Sequence, residues 1–188
     1  AKVDLRTVDG YEKIAELNEF ARGQNWACKE AITRNFEYDP FKAGRFYTEF
    51  QNLPSRSHKI RQNTFINGEP VTEIYLNANH LRIFLAFNKM DVFGDSVDAY
   101  RSIADLAKVD RNTVKSFFTA ALNCDSYQRA RSAAKVPEKF GRGIMEAFER
   151  LYPKAQLFSS GRPFSLVGMQ LEGEILRIAM EQLRNLDI

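Results

Sequence analysis

Apolar positions recur at helical spacing over much of this chain and at strand spacing over very little of it. Ile14, Leu17, Phe20 and Ala21 share one face of a helix predicted over about 10–22, with Asp9 placed to cap its start and Gly23 to end it. Between Cys28 and Ser57 that rhythm fails, and Pro40, Gly44 and Pro54 interrupt regular structure, so extended segments and loops are expected there. Asn67-Gly68 separates Thr64-Phe65-Ile66 from Val71-Thr72-Glu73-Ile74-Tyr75, and an Asn-Gly pair supports the positive φ values of a tight hairpin. These are the only convincing strand signals, and they place a small sheet at about 62–66 and 71–76. Helices follow at about 78–90, 96–107, 111–123, 138–151 and 164–184, with Asp110 as a cap and Pro137 at a permitted helix start. The expected fold is α+β, mostly helical with a small antiparallel sheet. It is a single domain over 1–188, with a helical and loop part to about 60 and the strand and helices from about 61 onward.

Composition adds bounds rather than detail. A chain of 188 residues with 44% hydrophobic and 27% charged content can bury a core without crosslinks. Cys28 and Cys124 lie far apart without metal-ligand or redox spacing, so reduced thiols in a cytoplasmic protein are expected. Apolar runs such as Ile83 to Phe87 are far too short for a bilayer, and no membrane partner is expected. The net charge of +3 permits nucleic acid as a partner without requiring it. With His58 and His80 as the only imidazoles, no histidine metal cluster or nucleophile triad is expected, and no cofactor is expected.

Several blocks in order narrow the picture. Gly44-Arg45-Phe46, Gln51-Asn52-Leu53-Pro54-Ser55-Arg56 and Lys59-Ile60-Arg61-Gln62 precede Glu73-Ile74-Tyr75-Leu76-Asn77-Ala78-Asn79-His80-Leu81-Arg82. This order resembles the palm of family A DNA polymerases, where Gly-Arg, Leu-Gln-Asn-Ile-Pro-x-Arg and Ile-Arg lead into a strand with Asp-Tyr-Ser-x-x-Glu-Leu-Arg. Asn67-Gly68-Glu69-Pro70 and His80-Leu81-Arg82 are similar to a variant seen in polymerase-like proteins of phages and mobile elements. Leu81 to Ala86, Gly94 and Asp98-Ala99-Tyr100 also resemble family elements. Arg111, Lys115, Thr119 and Asn123, four apart and so on one helical face, are similar to the fingers helix that carries Arg, Lys, an aromatic and Tyr-Gly. Met169-Gln170 and the residues after them resemble a Gln-bearing helix that leads into a His-Asp hairpin.

The resemblance implies a truncated palm and fingers in which Arg45, Gln51, Asn52, Arg56 and Arg61 meet the primer–template. His80, Arg82, Arg111, Lys115, Thr119, Asn123 and Gln170 would meet nucleotide or phosphate in the same groove. It also implies lost catalysis. Tyr75 stands at the position of a metal-binding Asp, and a phenol is a poor ligand for hard cations. The chain reaches Asp187-Ile188 without the His-Asp hairpin. No catalytic residue is assigned, and Mg2+ enters only with residual nucleotidyl transfer, where Glu73, on Tyr75's strand face, is the one surrogate ligand.

Plainer readings stand beside each assignment. Arg111 and Lys115 suit a solvated helix face opposite Val114, Phe118, Ala121 and Leu122. His80 suits a helix histidine bonded to a neighbouring carbonyl, and Glu73 suits pairing with a nearby cation. Glu172 and Glu174 point different ways on a helix and suit surface or local salt bridges. Most phenylalanines are core, while Tyr47 or Phe50 among basic residues suits stacking on a base. The expected function is a DNA-binding, catalytically degenerate polymerase-like protein in phage or mobile-element replication or its control. The alternatives are a helical protein-interaction or inhibitor module and a fragment of a larger polymerase.

Overall fold

The computed structural model describes residues 11–25, 30–36, 43–54, 59–72, 76–90 and 98–186. In order they form α1 (Tyr11–Gly23), β1 (Thr33–Phe36), β2 (Ala43–Tyr47), β3 (Phe65–Ile66), β4 (Glu69–Pro70), α2 (Asn79–Phe87), α3 (Ala99–Ala107), α4 (Arg111–Ala121), α5 (Tyr127–Ala134), α6 (Glu138–Leu151) and α7 (Ser165–Asn185). The fold is α+β and mostly helical, with two small antiparallel sheets among the described residues. Two compact units divide it: the described residues up to Thr72 together with those from Gly173 on, and the described residues from Leu76 to Glu172.

In the first unit, β1 and β2 pair antiparallel from Thr33↔Tyr47 to Phe36↔Ala43, where extended segments and loops but no sheet were expected. The pattern was hidden because Arg34, in mid-strand, is buried rather than exposed. Its Nε donates to the Gly44 carbonyl at 2.7 Å and its Nη1 to Glu174 Oε1 at 2.6 Å. The guanidinium also lies 4.9 Å from the Phe36 ring centre and 5.4 Å from that of Phe46, within cation–π range. Gly44 needs its φ of +76°, and a side chain there would run into Phe36. Gly173 of α7 faces the same carbonyl, which a Cβ would strike. Gly173→Ala should therefore destabilise the protein by about 1–3 kcal/mol despite alanine's better helix propensity. A urea titration checks this, and unchanged or raised stability would show that the contact yields freely.

The Asn67-Gly68 hairpin forms as expected, with φ of 54° and 83°, and its second strand is Glu69–Pro70; of the expected strand 71–76, Val71, Thr72 and Leu76 are outside any strand and Glu73 to Tyr75 lie outside the described residues. A two-residue turn pairs Ile66 with Glu69 directly; past Pro70 the Val71 N–H still donates to the Thr64 carbonyl at 3.1 Å, while the Thr64 N–H turns back to the Arg61 carbonyl at 3.4 Å and is not free to return the bond. Residues 62–63 belong to a 3-10 turn, Arg61–Asn63, instead of a strand. Asn67 also anchors the turn, its Oδ1 accepting from Asn25 N at 2.7 Å. Asn18 of α1 clasps Ile32 in both directions, donating to its carbonyl at 2.9 Å and accepting its N–H at 2.6 Å.

The second unit is helical. Leu81, Leu85, Ile103, Val114, Phe117, Phe118, Leu122, Ile144 and Phe148 are fully buried and draw α2, α3, α4 and α6 around one core. Its aromatic chain runs from Tyr100 to Phe118 at 6.4 Å between ring centres, on to Phe148 at 5.1 Å and then to Tyr152 at 5.3 Å. Asp98 and Asp110 cap α3 and α4 by accepting backbone N–H bonds from Tyr100 and Thr113. The helix α2 stops at Phe87, short of the expected residue 90, because Asn88 turns its amide back to the Phe84 carbonyl at 2.8 Å. The helix α5 was not expected at all.

Candidate nucleic-acid interface

On β2 the side chains alternate as the pleat requires. Phe46 is buried, while Arg45 and Tyr47 are exposed on the opposite face. The chain then enters a 3-10 turn, Glu49–Asn52, whose first residues are held by Thr48, its Oγ1 accepting from Gln51 N at 3.2 Å. Gln51 and Asn52 are exposed on that turn. A cation, an aromatic ring and two amides thus sit in one eight-residue stretch of strand and turn. Arg61 is half-buried in the second 3-10 turn of this unit. Arg56, Glu73 and Tyr75 lie outside the described residues.

In the helical unit the assigned residues separate into engaged and open groups. Asn79 Nδ2 donates to Glu172 Oε1 at 2.7 Å, and His80 Nε2 lies 3.2 Å from Glu172 Oε2. His80 is therefore partnered by a carboxylate from α7, not by a neighbouring carbonyl. Glu172 is half-buried in this clasp, and Glu174 belongs to the first unit with Arg34 and Arg177. Arg82 is half-buried on α2 near Tyr152, whose phenol burial pushes up to about 12 while the Arg82 cation pulls it the other way. Gln170 is half-buried on α7.

Arg111 is the most engaged of the set. Its Nε donates to Asp98 Oδ2 at 2.5 Å, its Nη2 reaches Asn77 Oδ1 at 3.4 Å, and its guanidinium lies 5.6 Å from the Tyr100 ring centre. Burial raises the Asp98 carboxyl, but the hydrogen bonds from Arg111 and from the Arg101 backbone outweigh it and hold that group below its ordinary range. The same Asp98 oxygens cap α3 and bind α4, so one carboxylate joins two helices. Sequence placed Asp98 only inside a family-like block. Its position directly before an amphipathic run was a readable capping signal, whereas its bond to Arg111 was not.

One turn further on, Lys115 is exposed. Thr119 donates its hydroxyl to the Lys115 carbonyl at 2.8 Å, and Asn123 donates Nδ2 to the Thr119 carbonyl at 2.7 Å. Asn123 lies beyond the end of α4, whereas Lys115 and Thr119 line an open depression of about 490 Å3 with Asn112, Ser116, Ala120 and the α5 residues Ala133 and Ala134. Among the described residues no group of three or more His, Cys, Asp or Glu could hold a metal ion. No helix among them is long and apolar enough to cross a membrane.

Comparison with protein-family models, with curated proteins and with solved structures gives no match to this chain.

Proposed function

We propose that this chain is a DNA-binding protein derived from a family A polymerase core, catalytically degenerate, acting in replication of a phage or mobile element or in its control. The observation that supports it is the exposed face of β2 and its following turn. Arg45 can meet a phosphate, Tyr47 beside it can stack on a base or sugar, and Gln51 and Asn52 offer donors to backbone or minor-groove acceptors without any metal. Tyr75 at the metal position supplies a phenol where two-metal phosphoryl transfer needs carboxylates, so no catalytic step is assigned.

The test is binding of a labelled primer–template duplex at two or more salt concentrations. Affinity should fall steeply with salt, and Arg45→Ala should make the logarithmic slope shallower by about 1. Primer extension with magnesium or manganese should be absent throughout. A variant that binds with unchanged affinity and slope removes this face from the interface.

A second reading, a protein-interaction or inhibitor module, draws on α7. Ile175, Ile178 and Leu183 in its second half and Leu186 just after it are exposed, with Ile178 at 50% and Leu186 at 66%. An apolar row of that kind suits a protein partner bound with little salt dependence.

A further inference from the structure

We propose that α3 and α4 form a helix-turn-helix that reads the major groove of duplex DNA, with Asn112, Lys115, Ser116 and Thr119 facing the bases. This rests on the DNA-binding reading above and adds a second surface with a defined mode of contact. The first ground is the turn. The helix α3 ends at Ala107, Lys108 takes the left-handed conformation with φ 55° and ψ 45°, Val109 N–H returns to the Ala104 carbonyl at 3.1 Å, and Asp110 caps α4. A three-residue connection of this kind is the length found in the unit that places its second helix in the groove.

The second ground is the division of α4 into two stripes. Val114, Phe117, Phe118 and Ala121 are buried, at the spacing i, i+3, i+4, i+7. Asn112, Lys115, Ser116 and Thr119 are exposed at the same spacing on another face. The first stripe joins a core that also holds Ile103 and Ala104 of α3. The Arg111 bond to Asp98 then pins the first turn of α4 to the start of α3, so the exposed stripe rides on a braced frame. Arg111 is thereby a positioning residue rather than a phosphate ligand.

The third ground is chemical. The helix α4 contains no carboxylate, and its exposed stripe offers an amide that suits adenine, an ammonium that suits guanine O6 and N7, and hydroxyl groups that suit several base edges. Residues 111–137 carry Arg111, Lys115, Arg129, Arg131 and Lys135 against Asp125 alone, a net +4, whereas the whole chain carries +3. Of those cations Arg111 pairs with Asp98 and Arg131 with Glu138 at 2.8 Å, so the exposed cation that α4 itself offers to a phosphate-lined groove is Lys115. Arg129 holds Asp125 at 2.6 Å, but with its side chain 73% exposed that surface pair is weak enough to exchange for phosphate. Beside the stripe, the wall from α5 is made of Ala133 and Ala134, small residues that leave the depression open.

The experiment is selection of duplexes from a random-sequence pool by the full chain, followed by anisotropy titrations with a selected duplex and its shuffled counterpart. The selected duplex should bind at least tenfold more tightly. Asn112→Ala and Ser116→Ala should each weaken it about tenfold, leave the shuffled duplex unchanged, and leave thermal melting unchanged. Methylation of guanine N7 in the selected site should interfere with binding, and a minor-groove ligand should not. Binding without sequence preference, insensitive to Asn112→Ala, Ser116→Ala and Lys115→Ala but weakened by Arg45→Ala, overturns the helix-turn-helix and leaves the broader reading standing. No binding to any duplex overturns both.

Discussion

Replacing Glu174 with alanine should lower the stability of the protein by about 3 kcal/mol, because it takes a carboxylate partner away from a buried guanidinium. The Arg34 side chain is 5% exposed, and Glu174 Oε1 accepts from its Nη1 at 2.6 Å. Arg177 would lose one partner as well, though it keeps Glu181 at 2.6 Å. About a third of the Glu174 side chain is exposed, so solvent compensates in part, and the loss belongs at the lower end of the range for broken buried pairs. Arg34 would keep the Gly44 carbonyl and its place against the Phe36 and Phe46 rings but would lose the Glu174 carboxylate.

The pH dependence has a definite sign. Burial raises the Glu174 carboxyl, and hydrogen bonds from Arg34 and Arg177 outweigh it, so the folded value lies below the ordinary 4.5. A carboxyl depressed on folding contributes its stability above the unfolded value and loses it as pH falls through the folded value. Glu174→Gln keeps the side-chain shape but cannot ionise. In urea titrations from pH 7 down to about pH 3, the stability gap between wild type and Glu174→Gln should close as acid is added. A gap that stays constant over that range would mean that the pair contributes through packing alone.

The same arginine shows where sequence reasoning stops. Thr33-Arg34-Asn35-Phe36 has no apolar alternation, and the partner that makes a strand possible there is 140 residues away. Gly44 was legible as part of a family-like block and as a break in regular structure, whereas it lies inside β2 with a positive φ and a carbonyl approached by Arg34. The helix α5 was invisible for a related reason. Tyr-Gln-Arg-Ala-Arg-Ser-Ala-Ala buries only Ala130, so it shows no apolar period and is held by packing against α4. By contrast, α3, α4 and α6 each carry a clear apolar face, and the Asp110 cap was readable from the residues alone. The candidate interface divides the same way. Lys115 was legible from helical spacing, while the engagement of Arg111, His80 and Asn123 came from partners or backbone geometry that spacing does not reveal.

Truncating Phe118 to alanine should cost about 4 kcal/mol, the middle of what a buried aromatic truncation gives. The ring is fully buried between three elements: it meets Phe117 at 5.6 Å, Phe148 of α6 at 5.1 Å and Tyr100 of α3 at 6.4 Å between centres. Flanking side chains on rigid helices can only partly close the gap, so lost contacts add to lost burial. Phe118→Leu, which refills much of the volume, should cost less than half as much. A loss near 4 kcal/mol is a large share of the stability of an ordinary domain, and it should release α4 from its frame. On the proposed DNA-binding reading, binding by Phe118→Ala should therefore fail at temperatures where wild type binds and return on cooling, in step with circular dichroism. Lys115→Ala should differ: its binding should weaken at every temperature while the melting transition stays in place, because Lys115 is exposed. If Phe118→Ala melts within about 1 kcal/mol of wild type, the core joining α3, α4 and α6 is not what braces the exposed stripe of α4.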